Sequence, residues 1–253
     1  SKNYILTYIE CVSPKLLLTF SDLHPTFYLL KNYLKSKKTL TMAVQAGFRT
    51  YKSFYNFNKN EYYSSSISCI FADSYKDIYS KHIKSDKTSV GSIKNNYFKK
   101  IKKQKQKKII FISQFRPEIK KTDIKQFKRE QEILKYLDLF CEKNKVDYLI
   151  ATKPSVTKKV YYKNFKFGKN SKVISEKNPS DLFGEGARKK YALLDSSELT
   201  VFIDSSLGLE SLSRRNKVLS YPFLSFKKTK KNPFWVVNSK KNDFLKKLST
   251  VYK

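Results

Sequence analysis

Short apolar runs alternate with amphipathic segments along the first part of the chain. The runs at 15–20, 40–45 and 66–72 have the length and composition of buried strands. Segments with apolar residues at helical spacing follow the first and third runs, and a further short strand is predicted at 87–93. Strands that alternate with helices predict an α/β fold with a parallel sheet.

The alternation stops at 98–108, where lysine and glutamine predominate and apolar residues are almost absent. It resumes with buried strands predicted at 109–113, 146–151 and 199–203. A long helix with a regular apolar stripe is predicted at 123–143. The second part of the chain therefore repeats the organisation of the first.

Two such blocks predict two Rossmann-like halves facing a cleft. We place the first half at 1–98, a basic linker at 99–108 and the second half at 109–253. A closing helix at 243–252 is expected to pack back on the first half. Neither GxGxxG nor a GxxxxGKS or GxxxxGKT motif occurs, which argues against a dinucleotide redox enzyme and a P-loop NTPase.

The segment LTVFIDSSLGLESLS at 199–213 predicts a buried strand, a tight turn and the start of a helix. The free N–H groups and the positive dipole end of that helix would face the carboxyl edge of the sheet, where a phosphate could bind. Ser205 and Ser206 are candidate phosphate ligands, and Gly208 would let a ligand approach the backbone. Glu210 does not fit a capping box and is a candidate ligand contact. Ordinary helix capping by serine is an equally good interpretation of the turn.

Polar residues, or a glycine turn, also follow the other predicted strands. Open α/β sheets bind ligands at the carboxyl ends of their strands, so these positions are candidates for one site. An ordinary structural role competes at each position, since Asp22, for example, could simply cap the next helix. The candidates are Asp22, Gln45, Arg49, Gly91, Gln114, Arg116 and Lys153.

The net charge is +32, from 53 basic and 21 acidic residues, and by itself it favours a nucleic-acid-binding protein. The lysines, however, are scattered along the whole chain, and only six residues are arginine, the side chain suited to reading bases. Frequent Lys, Asn, Ile, Tyr and Phe also fit AT-rich coding. Nucleic acid is therefore not the expected partner.

Three cysteines without a CxxC pair and two histidines do not support a cysteine zinc site or a Ser-His-Asp triad. Cysteine usage favours a reducing cytoplasm. No apolar run approaches the roughly 18 residues of a membrane span. Because the chain lacks an initial Met and a signal-peptide pattern, we expect a fragment of a cytoplasmic protein.

Several motifs occur in a familiar order: LLTFSD ending at Asp22, AVQAGFR at 43–49, VGSIKNN at 90–96 and DSSLGLESLSRRNKV at 204–218. They resemble bacterial surface-carbohydrate glycosyltransferases of the GT-B type, in particular CMP-Kdo-dependent transferases of capsule and O-antigen assembly. The resemblance covers most of 15–218. It implies a first Rossmann-like half that lacks a strand or two at its start.

The resemblance further implies that the second half holds a nucleotide-sugar donor as co-substrate, with no metal and no other cofactor. It assigns each part of the donor to particular candidate residues. These are Ser205 and Ser206 for the phosphate, Glu210 for the ribose or sugar, Gln114 and Arg116 beside the nucleotide, and Lys153 for the leaving phosphate.

In the first half, the resemblance makes Asp22 the carboxylate at the anomeric carbon, either as a base or as a nucleophile. Gln45, Arg49 and Gly91 would lie on the acceptor side, facing a surface polysaccharide or glycolipid. The basic surface is a candidate for peripheral contact with the anionic inner membrane. An inactive GT-B-like scaffold module and a basic nucleic-acid-binding protein are the alternatives.

Overall fold

Two parallel β-sheets form the framework of the protein in a computed structural model. The chain divides into unit 1, Ser1–Asn96, and unit 2, Tyr97–Lys253. The structure describes residues 2–34, 38–101, 106–117, 124–153, 155–175, 183–221, 236–237 and 241–252.

Unit 1 contains a four-stranded sheet in the order β1-β2-β3-β4, in which all neighbouring strands are parallel. Its strands are β1 Leu16–Thr19, β2 Leu40–Val44, β3 Ser64–Ile70 and β4 Lys84–Ser89. Its helices are α1 Lys2–Val12, α2 Pro25–Tyr33, α3 Lys76–Ser80 and, at the boundary between the units, α4 Ile93–Tyr97, with short 3-10 turns at Tyr51–Phe54 and Asp73–Tyr75.

Aromatic side chains fill the core of unit 1. The rings of Phe54 and Tyr79 pack edge to face at 5.2 Å between centroids, next to the fully buried Ile70 and Tyr28. Helix α2 begins with Pro25, whose fixed φ and missing N–H suit the first turn of a helix. This packing fixes α2 and α3 against the sheet.

Unit 2 contains a five-stranded parallel sheet in the order β7-β6-β5-β8-β9. Because the chain moves outward from β5 in one direction and then continues on the other side at β8, the strand order reverses between β5 and β8. The strands are β5 Gln106–Ile112, β6 Asp147–Ala151, β7 Ser171–Ile174, β8 Ser197–Phe202 and β9 Val218–Ser220. The helices are α5 Ile124–Asn144, α6 Lys158–Asn164, α7 Glu185–Ser196, α8 Ser206–Ser213 and α9 Lys241–Tyr252.

Strand β5 is buried on both faces, as expected for the centre of a parallel sheet. Ile109 and Phe111 point into a core formed with α5, α6 and α9, whereas Ile110 and Ile112 point into a core formed with α7 and α8. The predicted α/β class with Rossmann-like parallel sheets is thereby confirmed.

The structure differs from the predicted boundaries around the basic segment. Strand β5 begins at Gln106, so the last residues assigned to the linker at 99–108 belong to the sheet, while 102–105 lie outside the described residues. Lys107 is exposed and Lys108 is half-buried and pairs with Asp147 of β6, so both lysines fit at the start of the strand. At the other end, Phe98 is buried and stacks on Tyr191 at 4.9 Å between centroids.

The closing helix α9 belongs to unit 2, which corrects the expectation that it packs on the first half. Phe244 and Leu248 are fully buried in the core of unit 2, and the ring of Phe244 lies 5.6 Å from that of Tyr136 on α5. Strand β7 and helices α4 and α6 were not predicted, because their polar residues obscure the apolar pattern. None of the described helices has the length and apolar composition of a membrane span.

Candidate functional site

Three strand ends of unit 2 lie side by side at the point where the strand order reverses. Ile112 of β5 is level with both Ala151 of β6 and Phe202 of β8. The N–H of Ser113 donates to the carbonyl of Ala151 at 3.0 Å, which keeps the ends of β5 and β6 aligned. Since neighbouring strands are about 4.8 Å apart, the residues that follow these strands share one edge. Open α/β sheets bind ligands at such an edge.

The structure brings five predicted site residues to this edge. Gln114 and Arg116 follow β5, Lys153 follows β6, and Ser205 and Ser206 follow β8. Arg116 is exposed, whereas Gln114, Lys153 and Ser206 are half-buried. Their placement in one region is observed, and their contacts with a ligand stay predictions.

The turn between β8 and α8 has an unusual backbone. Asp204 has a φ of 26°, a positive value that costs a non-glycine residue about 1–3 kcal/mol and occurs mainly where function or packing requires it. Ser205 occupies the N-cap position, but its hydroxyl makes no capping hydrogen bond within the described part of the chain. The hydroxyl of Ser205 thus does not cap the first N–H groups of α8, and helix starts at such an edge commonly bind anions.

Gly208 has a packing role in the first turns of α8. A Cβ atom at this position would lie 2.2–2.5 Å from ring carbons of Phe202 on β8, so only glycine lets the helix approach the strand this closely. This packing explains the glycine without a ligand. Its predicted role in ligand approach stays a prediction.

We expect Gly208→Ala to destabilise the protein by about 1–3 kcal/mol, the usual cost of overpacking a core. The higher helix propensity of alanine offsets about 1 kcal/mol of the steric cost. Urea unfolding of Gly208→Ala, Phe202→Leu and the double variant measures the effect. A smaller loss in the double variant than the sum of the single losses identifies the ring as the cause, and an unchanged stability of Gly208→Ala contradicts the packing role.

Glu210 lies one turn after Ser206 on α8 and is buried. The hydroxyl of Tyr191 on α7 donates to Glu210 Oε2 at 2.7 Å. Burial raises the pKa of Tyr191, and the neighbouring Glu210 carboxylate raises it further, so this tyrosine stays a neutral donor. The hydrogen bond from Tyr191 therefore holds Glu210 in a defined orientation.

A buried ion pair supports the other end of α8. Arg214 donates from Nε and Nη2 to the two carboxylate oxygens of Asp195 at 2.8 and 2.5 Å. Its guanidinium also donates to the carbonyls of Phe98 and Lys99, at 2.8 and 3.3 Å. Asp195 in turn accepts the N–H of Ile101 at 2.9 Å. The pair thereby ties residues 98–101 to α7 and α8.

In unit 1, Asp22 is the centre of a hydrogen-bond network at the ends of β1 and β2. Its buried carboxylate accepts the N–H of Ala46 at 3.0 Å, two bonds from Arg49 at 2.8 and 2.5 Å, and the hydroxyl of Tyr79. Burial lowers the pKa of Arg49, but the hydrogen bonds and charge of Asp22 outweigh this and raise it. Four donors fill the usual acceptor capacity of a carboxylate.

Gln45 stabilises the loop at 46–49. Its Nε2 donates to the carbonyl of Gly47 and its Oε1 accepts the N–H of Phe71, both at 2.8 Å. The structure thus brings Asp22, Gln45 and Arg49 together around the loop at 46–49. Their geometry gives Asp22 a positioning role toward Arg49, and its catalytic role stays a prediction.

Gly91 follows β4, two strands away from β2. Its φ of 74° is the left-handed conformation that glycine adopts without strain, and a Cβ would lie 3.3 Å from the amide nitrogen of Asn96. The turn after β4 therefore accounts for this glycine, and its predicted place on the acceptor side stays a prediction.

Sequence reasoning missed the buried charged residues Glu130, Asp195 and Arg214. One of them leaves a signal in the sequence. Glu130 lies in the apolar stripe of α5, three residues after Phe127 and four before Leu134, where an apolar residue is expected. An acid at such a position indicates a specific buried partner.

The fold and the edge at the strand reversal define a GT-B-like α/β protein. The chain belongs to a family described as "putative O-antigen biosynthesis protein", whose model matches residues 42–249. It is therefore a surface-carbohydrate biosynthesis protein of GT-B-like fold. A comparison with curated protein sequences finds no significant match.

Three solved structures of similar fold are named for UDP-GlcNAc or were solved with UDP. One is a "putative UDP-N-acetylglucosamine 2-epimerase" from Listeria monocytogenes. The match covers 99% of this chain and 69% of the epimerase chain, with 14% identity and a TM-score of 0.62. UDP-GlcNAc 2-epimerase from Methanocaldococcus jannaschii was solved with UDP-GlcNAc and UDP. The match covers 100% of this chain and 73% of the epimerase chain, with 12% identity and a TM-score of 0.60. A mutant of S. aureus TarM was solved with fondaparinux, alpha-GlcNAc-glycerol and UDP. The match covers 98% of this chain and 51% of the TarM chain, with 15% identity and a TM-score of 0.57. At these identities the likeness establishes the fold.

Proposed function

We propose that this protein is a glycosyltransferase that moves a sugar from a nucleotide donor to a surface polysaccharide or glycolipid. The observation that carries the proposal is the edge of unit 2 at which the strand order reverses. Helix α8 begins at this edge, and the hydroxyl of Ser205 does not cap it. A helix start of this kind binds phosphate through its N–H groups and dipole. The membership in an O-antigen biosynthesis family supports a carbohydrate substrate.

In this proposal, the diphosphate or phosphate of the donor lies at Ser205 and Ser206. Lys153 and Arg116 supply positive charge to the leaving phosphate, so that no metal ion is needed for charge neutralisation. Glu210, fixed by Tyr191, binds a hydroxyl of the ribose or sugar, and Gln114 lies beside the nucleotide.

The proposed donor is a CMP- or UDP-linked sugar. The resemblance to CMP-Kdo-dependent transferases favours CMP and Kdo, whereas the similar structures of TarM and of the M. jannaschii epimerase were solved with UDP. In unit 1, we propose that Asp22 orients Arg49, and that Arg49 belongs to the acceptor side. Peripheral contact of the lysine-rich surface with an anionic membrane is a further part of the proposal.

We expect Ser205→Ala with Ser206→Ala to weaken nucleotide binding about 5- to 150-fold, the equivalent of about 1–3 kcal/mol for lost hydrogen bonds to a charged group. Calorimetry with CMP, CDP and UDP measures the change. Ser213→Ala is the matched control, because its hydroxyl bonds the carbonyl of Glu210 at the opposite end of α8.

Equal affinity in the double variant and the parent would mean that the turn only caps a helix. Nucleotide binding without sugar transfer would favour the scaffold module. If the parent binds no nucleotide but binds generic RNA or DNA with strong salt dependence, the basic nucleic-acid-binding alternative replaces the proposal.

A further inference from the structure

Glu130 is a fully buried acid directly behind the strand end that carries Gln114. It lies on α5, and its carboxylate accepts the hydroxyl of Ser113, the N–H of Gln114 at 3.1 Å and the hydroxyl of Tyr161 at 2.6 Å. Ser113 Oγ also accepts the N–H of Phe115 at 3.1 Å. One carboxylate thus connects α5 and α6 to the loop that follows β5.

The environment of this carboxylate makes it costly for stability. Its hydrogen-bond donors among the described residues are neutral, and an acid buried without a bonded cation is disfavoured relative to an apolar residue. Burial raises the pKa of Glu130, although the hydrogen bonds from Ser113, Tyr161 and Gln114 and the positive charge of Lys153 oppose this. An acid retained at such a position in an apolar stripe requires a specific reason.

We propose that Glu130 is a positioning residue of the donor site, which holds the loop after β5, including the main chain of Gln114, in the arrangement that receives the nucleotide donor. This inference rests on the proposed function. The three hydrogen bonds of Glu130, which join α5 and α6 to the end of β5, carry the inference.

The electrostatics of Glu130 allow two opposite results. As a positioning group, its negative charge strengthens the bonds to Ser113 and Gln114 and attracts Lys153, because hydrogen bonds to an ionised acceptor are stronger. As a mere buried charge, it would repel the donor phosphate, and its removal would improve binding. Glu130→Gln keeps the shape of the side chain and therefore distinguishes the two.

We expect Glu130→Gln to bind UDP and CMP about 10- to 100-fold more weakly than the parent in calorimetry, as for the loss of bonds to a charged group. Tyr161→Phe, which keeps the ring and removes one donor to Glu130, is expected to weaken binding about 2- to 10-fold. This second variant decides the matter if Glu130→Gln does not fold.

Asp138→Asn is the matched control on the same helix. Asp138 also accepts a tyrosine hydroxyl and a backbone N–H, from Tyr148 at 2.7 Å and Gly168 at 2.8 Å, but two turns further along α5. Its removal tests the cost of losing a similar carboxylate at a distance from the strand ends, and we expect unchanged nucleotide affinity.

The pH profile gives a readout that a purely structural role would not move. The groups bonded to Glu130 are Ser113, the N–H of Gln114 and Tyr161, whose strongly raised pKa keeps it neutral, and the positive charge of Lys153 lowers the pKa of Glu130. The affinity of the parent for UDP and CMP should fall at acidic pH as Glu130 becomes protonated. Glu130→Gln should not show this part of the pH dependence. Equal or tighter binding by both Glu130→Gln and Tyr161→Phe overturns the inference alone, whereas absence of nucleotide binding by the parent overturns the proposed function and the inference with it.

Discussion

Replacing Asp22 with Asn is expected to destabilise unit 1 by about 3–5 kcal/mol, because it leaves the largely buried guanidinium of Arg49 without its ion-pair partner. The pair is well shielded, with 1% of the Asp22 side chain and 13% of the Arg49 side chain exposed. Asn has one acceptor oxygen where Asp22 has two, so it cannot accept all the hydrogen bonds from Ala46, Arg49 and Tyr79. Urea unfolding measures the stability, and hydrogen exchange at the Ala46 amide reports the loop.

The double variant Asp22→Asn with Arg49→Met provides the control. Because it removes both charges, it should be more stable than Asp22→Asn alone. A parent-like stability of Asp22→Asn would contradict the positioning role of the carboxylate.

The single variant Asp22→Asn also tests the catalytic prediction, once the fraction of the variant that is folded is known. A positioned acid–base group contributes about 100- to 10,000-fold to a rate. Transfer at the parent rate per folded molecule would limit Asp22 to orienting Arg49. A loss within that range at unchanged nucleotide affinity would support the catalytic prediction.

The sequence predicts the framework of this protein because burial leaves a local signal. The run at 109–112 is apolar at every position, as a strand covered on both faces requires, and β5 is the centre of its sheet. Strand β7, with the sequence SKVI at the sheet edge, has too little buried surface to show such a pattern. The edge of a sheet is therefore harder to predict than its centre.

The candidate site was predictable only as far as strand ends determine it. The rule that ligands bind beyond the carboxyl ends of strands selected Lys153 and Ser205 without knowledge of their neighbours. The partners of buried charges were not predictable, since Asp22 and Arg49 are 27 residues apart and Arg214 bonds a carbonyl 116 residues away. Such pairs depend on the packing of whole elements and leave no spacing rule in a single sequence.

The Asp195–Arg214 pair carries the second large prediction. We expect Arg214→Met to destabilise unit 2 by about 3–5 kcal/mol, because the side chains are 0% and 4% exposed and Asp195 would remain as an unpaired buried charge. Arg215→Met is the matched control, since Arg215 is the exposed neighbour of Arg214. Urea unfolding of both variants measures the difference, and equal stability of the two would contradict the role of the pair.

The pH dependence of stability tests the same pair without removing the arginine. Burial alone would raise the pKa of Asp195, but the hydrogen bonds from Arg214 and from the N–H of Ile101 lower it below its ordinary value of 3.8. A carboxyl with a lowered folded pKa contributes stability above its ordinary pKa, and the contribution is lost as pH falls through the folded value. The parent should therefore lose stability below about pH 4 more steeply than Asp195→Asn, whose side chain does not titrate. If the two proteins lose stability in parallel between pH 5 and pH 2, roughly the range over which an ion-paired aspartate titrates, the carboxylate of Asp195 does not supply that stability.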